Sequence, residues 1–280
     1  MFKKYVRDKK ETVTRYIQWG FSENPPMLLI HGFGSIATSW IELAEKLSHD
    51  YHVTAVDLPG HGNTSGLGEY SIESFNDWLE SFLLHIYGDI KPIAVGHSIG
   101  AELLLNFEHL RKFEFKNLIL LDGGYLSNEL DLKTSLEVNI ENAVTHYNDY
   151  QFDNWSEYLV GEEKAYARWN DKIKSFSLEK MIYDGIKIKL NMDIKTVKDY
   201  ITCFHENAGS NIINHINTQT LILVSTLPVQ ANEIRETAIN RITNRTVKHI
   251  FVENTSHDLY LDNPDIISVV IEDWLSEFNS

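Results

Sequence analysis

Pro92-Ile93-Ala94-Val95-Gly96-His97-Ser98-Ile99-Gly100-Ala101-Glu102-Leu103-Leu104-Leu105 decides the fold of this chain. The first four residues are short, apolar and partly β-branched, and follow Lys91, so they read as a buried strand. Ile99, Leu103, Phe107 and Leu110 recur at helical spacing, so the exit reads as a helix. Between them lies G-x-S-x-G. A serine on a sharp strand-to-helix turn has crowded, strained backbone, and glycines two before and two after it let neighbouring backbone pass close. Its hydroxyl is then held at the end of the sheet, beside a helix N-terminus that favours developing negative charge. Ser98 is therefore the candidate nucleophile.

Working outward, further apolar runs have the length of strands covered on both faces. Met27-Leu28-Leu29-Ile30 ends in His31-Gly32-Phe33-Gly34, and His52-Val53-Thr54-Ala55-Val56 ends in Asp57-Leu58-Pro59-Gly60-His61-Gly62. Asn117-Leu118-Ile119-Leu120-Leu121 ends in Asp122-Gly123-Gly124, and Thr220-Leu221-Ile222-Leu223-Val224 in Ser225. Val247 to Val252 is the last strand. Helices fall between them: one capped by Thr38 or Ser39, one opened by Ser71, one near 234–242 and one over 264–278. Stretches 4–7 and 12–19 alternate moderately and predict an antiparallel hairpin turning through Asp8-Lys9-Lys10-Glu11. Buried strands alternating with helices make an α/β fold: a mostly parallel twisted sheet with helices on both faces and its chemistry at the strands' carboxyl ends.

Residues 125–217 break this rhythm. They lack short apolar strands and are rich in Tyr, Trp, Asn, Asp and Glu, and read as a mostly helical insert between two sheet strands. Placed there it covers the strand ends as a lid. Its aromatics (Tyr147, Tyr150, Phe152, Trp155, Tyr158, Trp169, Tyr183) either line a lipophilic pocket or form the insert's own small core. The expected division is a core of 1–124 and 218–280 with a cap of 125–217.

With 25 Lys and Arg against 40 Asp and Glu, the net charge is −15, which disfavours nucleic acid as a partner. One cysteine, Cys203, cannot form an internal disulfide. The first ten residues lack a signal peptide's apolar run, and no run reaches the ~18 residues a membrane helix needs. A cytoplasmic protein acting on a small molecule, away from membranes, is the expectation; the oligomeric state is open. No His/Cys/Asp/Glu grouping has metal-ligand spacing and no phosphate-binding G-x-x-x-x-G-K-[ST] is present, so neither metal nor cofactor is expected.

Four stretches in this order resemble the α/β-hydrolase superfamily across nearly the whole chain: His31 to Gly34, Asp57 to Gly62, Gly96 to Gly100, and Ser256-His257 before Asn263-Pro264. The resemblance implies an α/β-hydrolase fold with a helical cap inserted after the strand ending at Asp122. It implies that His257 returns over the elbow as general base for Ser98, and that backbone N–H groups of Phe33 and Ile99 form the oxyanion hole. His97 and Asp57 are expected to pack, with His31 and His61 structural members of their turns. The acid departs from the common pattern. Most relatives carry Asp three residues after a Gly that ends the strand corresponding to Leu221-Ile222-Leu223-Val224; here Ser225 and Pro228 occupy those places. Asp122 is one replacement, since some families of this fold place the acid on that strand. Glu233 is the alternative, and a site with no acid the third possibility.

The expected function is a serine hydrolase cleaving carboxylic esters or lactones of a small to medium lipophilic substrate through an acyl-enzyme on Ser98. The alternatives are a ligand-binding or signalling protein on a hydrolase scaffold, or a lyase using the same residues as acid and base. A dinucleotide site is a weaker rival: Gly32-Phe33-Gly34-Ser35-Ile36-Ala37 fits G-x-G-x-x-A, with Asp57 placed to meet a ribose.

Overall fold

A computed structural model describes residues 2–8, 11–111, 113–127 and 133–278. Met1, Lys9 and Lys10, in the expected start and hairpin turn, lie outside them, as do residues 128–132 of the insert. The strands are β1 (Phe2–Arg7), β2 (Val13–Trp19), β3 (Pro26–Ile30), β4 (His52–Val56), β5 (Ile93–His97), β6 (Asn117–Leu121), β7 (Met181–Tyr183), β8 (Ile188–Leu190), β9 (Thr220–Ser225) and β10 (Val247–Val252). Eight form one sheet in the order β1-β2-β4-β3-β5-β6-β9-β10, antiparallel at β1-β2 and β2-β4 and parallel beyond. This is an α/β-hydrolase fold with its N-terminal antiparallel hairpin. The parallel strands all end at one edge, so the turns after β3, β5, β6, β9 and β10 lie side by side.

Period-2 alternation divides the core into two layers. Leu28, Ile30, Ala94, Leu118, Leu120, Ile222 and Val224 face one layer. Met27, Leu29, Ile93, Val95, Ile119, Leu121, Leu221 and Leu223 face the other. The helices before the insert are α1 (Ile41–Leu47), α2 (Ile72–Tyr87) and α3 (Ile99–Arg111). Those of the insert are α4 (Leu136–Asp149), α5 (Trp155–Ala165), α6 (Asp171–Glu179) and α7 (Ile194–Glu206). After it come α8 (Asn232–Asn240), α9 (Leu259–Asp262) and α10 (Pro264–Ser276). The first layer packs on α2, α3 and α8, and the second on α1 and α10. Ser71 caps α2 through the Ser74 N–H at 3.2 Å. The expected cap of α1 is corrected: that helix starts after a 3-10 turn, Ala37–Trp40, with no side-chain cap. The Thr38 hydroxyl is engaged by Arg15 and Glu179, and that of Ser39 donates to the Ile36 carbonyl.

The segment between β6 and β9 carries α4 to α7 and also the β7-β8 hairpin, which the sequence reading lacked. Three-residue strands have too few residues to show alternation. Tyr147, Tyr158, Met181, Ile188, Leu190, Met192 and Val197 form a small core, with Tyr150 and Phe152 against it. Tyr183 is exposed, and Trp169 packs on the main core. The insert is also sewn to the rest of the chain. Tyr200 and Phe204 of α7 sit in the main core, and the Tyr200 hydroxyl donates to the Pro59 carbonyl at 2.6 Å.

Arg15 and Asp57 are fully buried and joined through one guanidinium nitrogen at 3.1 and 3.0 Å. Glu179 of α6 meets the second nitrogen at 2.7 Å. Asp57 also accepts the Ala37 and Asn63 N–H groups at 2.7 and 3.0 Å, so its carboxylate is spent on the loops after β3 and β4 and is not offered to a ribose. Removing one member of a buried pair strands the other charge. Asp57→Ala is expected to lower stability by about 3 kcal/mol, the low end for such losses because Glu179 remains. The denaturant midpoint measures it.

Candidate active site

Ser98 leaves the central strand β5 with φ +52°, left-handed backbone that a side chain rarely adopts. The flanking glycines are required by close approach. A Cβ at Gly96 would stand 2.6 Å from the Ala101 nitrogen, and one at Gly100 would stand 2.5 Å from the Ile30 carbonyl oxygen. Strain of this kind costs about 1–3 kcal/mol. Burying Ile93 or Val95 of β5 contributes about 1.5–3 kcal/mol each, so the strand holds the turn in place. Asp122, at the end of β6, is also left-handed at φ +45°. Gly123 lets that turn rest on the elbow: a Cβ there would stand 2.5 Å from the Ser98 carbonyl oxygen.

His257 lies in the turn between β10 and α9. Its Nδ1 is 2.8 Å from Asp122 Oδ2. A carboxylate only accepts, so the proton sits on Nδ1 and Nε2 carries a free lone pair. Asp122 is buried and gathers three further donors. The Ser225 hydroxyl donates to Oδ2 at 2.8 Å, the Ser225 N–H to Oδ1 at 3.1 Å and the Tyr125 hydroxyl to Oδ1 at 2.8 Å. Burial opposes ionisation of Asp122, but the His257 contact and these hydrogen bonds outweigh it and hold its pKa down at about 2. For His257, burial opposes the charged ring, and the hydrogen bond to Asp122 and its charge outweigh that, so the pKa stands above the ordinary histidine value. Glu233 is exposed in the first turn of α8 and makes no contact with His257 among the described residues. The structure thus brings Asp122 to His257, and not Glu233.

Ser98, Ile99, Asp122 and His257 line one cavity of about 310 Å³ together with Glu102, Leu126, Asn139, Phe204 and His205. Phe33 lines a second of similar size with Tyr150, Glu162, Tyr166, Lys180 and Asp258. Among the described residues the N–H groups of Phe33 and Ile99 donate to no other protein group. The Phe33 loop is fixed by buried histidines. His61 Nε2 accepts the Gly34 N–H at 3.1 Å, and His31 Nε2 accepts the Leu58 N–H at 2.9 Å. Each ring donates Nδ1–H to a carbonyl, and burial lowers each pKa to about 3, so both are neutral acceptors. His97 packs as expected and does more. Its Nε2–H donates to the His257 carbonyl at 2.9 Å, and the two rings lie 4.7 Å apart. Ser225, Tyr125 and His97 were not singled out for these contacts. The signal available was the serine at the end of β9, next to the strand that ends at Asp122.

A family model described as alpha/beta hydrolase fold matches residues 25–184, and the chain belongs to that family. It is 24% identical over 285 residues to (E)-2-((N-methylformamido)methylene)succinate hydrolase of Acinetobacter baylyi, covering 98% of each chain. It is 22% identical over 275 residues to pimeloyl-[acyl-carrier protein] methyl ester esterase of Wigglesworthia glossinidia brevipalpis, covering 90% of this chain and 94% of that one. Among solved structures it resembles E-2-(acetamidomethylene)succinate hydrolase with TM-score 0.79 at 16% identity, covering 98% of this chain and 99% of that chain. No helix of the described residues is long and apolar enough to cross a membrane.

Proposed function

We propose that the protein is a serine hydrolase acting on carboxylic esters or lactones. The observation that carries the reading is the 2.8 Å bond from His257 to Asp122 in the cavity that Ser98 also lines. His257 Nε2 takes the Ser98 proton as Oγ attacks the carbonyl carbon. The Phe33 and Ile99 N–H groups receive the oxyanion. The imidazolium, steadied by Asp122, then protonates the leaving alcohol as the tetrahedral adduct collapses to an acyl-enzyme. Water, deprotonated by the same ring, repeats the sequence and frees the acid. The segment 125–217 acts as a cap over this site.

Relatives with an ester and with succinate-type substrates are both similar to this chain, and the cavity walls favour a neutral substrate. Among the described residues neither cavity is lined by arginine, and Lys180 is paired to Glu162 at 2.9 Å. Asp258 and Asp262 add negative charge to the second cavity, which opposes a dianion there. Turnover of p-nitrophenyl esters of rising chain length tests the reading; hydrolysis of succinate-type amides with none of esters would contradict it.

The base must be uncharged to work. Activity therefore rises with pH through the His257 pKa, and that limb lies above the ordinary value of about 6.5. In Asp122→Asn the anion is gone and the limb moves toward acid. A profile of kcat/KM against pH in both proteins checks the sign.

A further inference from the structure

Glu102, in the first turn of α3, has no part in the chemistry above, yet its carboxylate lies at the junction of the insert. Its Oε1 accepts the Gly124 N–H at 3.1 Å, just where the chain leaves Asp122 for the insert. Its Oε2 accepts the Gly209 N–H, just where the chain leaves α7. The two strands of the junction touch here: a Cβ on Gly209 would stand 2.6 Å from Glu102 Oε2 and 3.1 Å from Gly124 Cα. One turn further on, Asn106 Nδ2 donates to the Asn207 carbonyl at 2.8 Å, a second tie from α3 to the same exit. Just before that exit, Ile201, Phe204 and His205 of α7 line the cavity that Ser98 and Glu102 also line. Asn139 of α4 joins the wall, its amide 3.0 Å from His205 Nδ1.

We propose that Glu102 is a positioning residue: it clips the entry of the insert and the chain leaving α7 to the helix that begins at Ser98, and so sets the distance between the α7 wall and the nucleophile. The role in catalysis rests on the hydrolase reading; the clip itself does not. A carboxyl suits the task because it offers one oxygen to each N–H; burial pushes its pKa up to about 7, against the Gly209 and Gly124 hydrogen bonds that favour the charged form. An amide side chain matches only one of them, since its NH₂ confronts the other N–H. Asp122 keeps its own bonds from Ser225 and Tyr125, so loosening the clip leaves the acid in place and moves the α7 wall. The consequence is poorer substrate binding with the chemical step preserved.

The experiment is hydrogen exchange on the full chain, read at peptides containing Gly124 and Gly209, combined with ester kinetics, for wild type, Glu102→Gln and Glu102→Ala. In Glu102→Ala both amides are expected to exchange about tenfold faster or more. KM is expected to rise about tenfold, with kcat within about threefold. In Glu102→Gln one amide keeps its protection and KM lies between. Unchanged exchange at both glycines in Glu102→Ala overturns the clip. Faster exchange with an unchanged KM, or a fall in kcat alone that follows the lost folded fraction, overturns the positioning role. Should Glu102→Ala not fold, Glu102→Gln decides, and wild-type exchange at both amides there counts against the clip. Wild-type protein that turns over no ester while its two amides are protected contradicts the hydrolase reading and leaves the clip standing.

Discussion

Ser98→Ala is expected to lower kcat for a p-nitrophenyl ester by about 10⁶-fold, the scale of loss when the serine of a serine–histidine–acid site is removed. The hydroxyl is the atom that bonds to the carbonyl carbon, so no neighbour can replace it in that step. What survives is the polarisation supplied by the Phe33 and Ile99 N–H groups and the binding of substrate in the cavity. The folded state is expected to remain, because alanine keeps the backbone course and leaves the contacts of Gly96, Gly100 and Gly123 as they are. Ester hydrolysis assays paired with thermal melts measure both. A variant that keeps turnover within tenfold of wild type would remove Ser98 from the chemistry.

Asp122→Asn is expected to cost about 10⁴-fold in kcat, whereas Glu233→Ala stays close to wild type. An asparagine at 122 presents either an NH₂ or an uncharged oxygen to His257 Nδ1. The first turns the imidazole proton onto Nε2, where it blocks the lone pair that must take the serine proton. The second keeps the tautomer and removes the charge that steadies the imidazolium. The Ser225 and Tyr125 donors then face a neutral oxygen, so the loss is not recovered by a shift of the side chain. Glu233 is exposed on α8, where its truncation disturbs no contact with His257. Equal rates in the two variants would contradict the assignment of Asp122.

The parallel strands were legible because burial on both faces leaves continuous apolar runs. Asn117–Leu121 and Thr220–Ser225, buried throughout, occupy the residues that the apolar pattern marks, whereas Val247–Val252 is a largely exposed strand at the sheet's edge. The elbow was legible because two glycines at fixed offsets from Ser98 answer a steric demand within one stretch of chain. The partner of His257 was legible only as a choice, Asp122 with Glu233 as the alternative, since a contact across 135 residues of sequence depends on where β6 and β10 lie in the sheet. Ser225 illustrates the point. Its place at the end of β9 reads only as the absence of the usual glycine, and its donation to Asp122 emerges once β6 and β9 are neighbours. In the insert the aromatics gave no period that separates pocket from core. Tyr150 lines a cavity, while Tyr147 and Tyr158 pack inward through hydroxyls bonded to Met192, Glu162 and Ser177.

The most direct measurement is the mass of the protein quenched during turnover of a slowly hydrolysed ester. An adduct equal to the acyl group, placed on the peptide that carries Ser98 and missing in Ser98→Ala, is the expected result. Steady turnover with no adduct on that peptide, or an adduct on another residue, would contradict acyl transfer through Ser98.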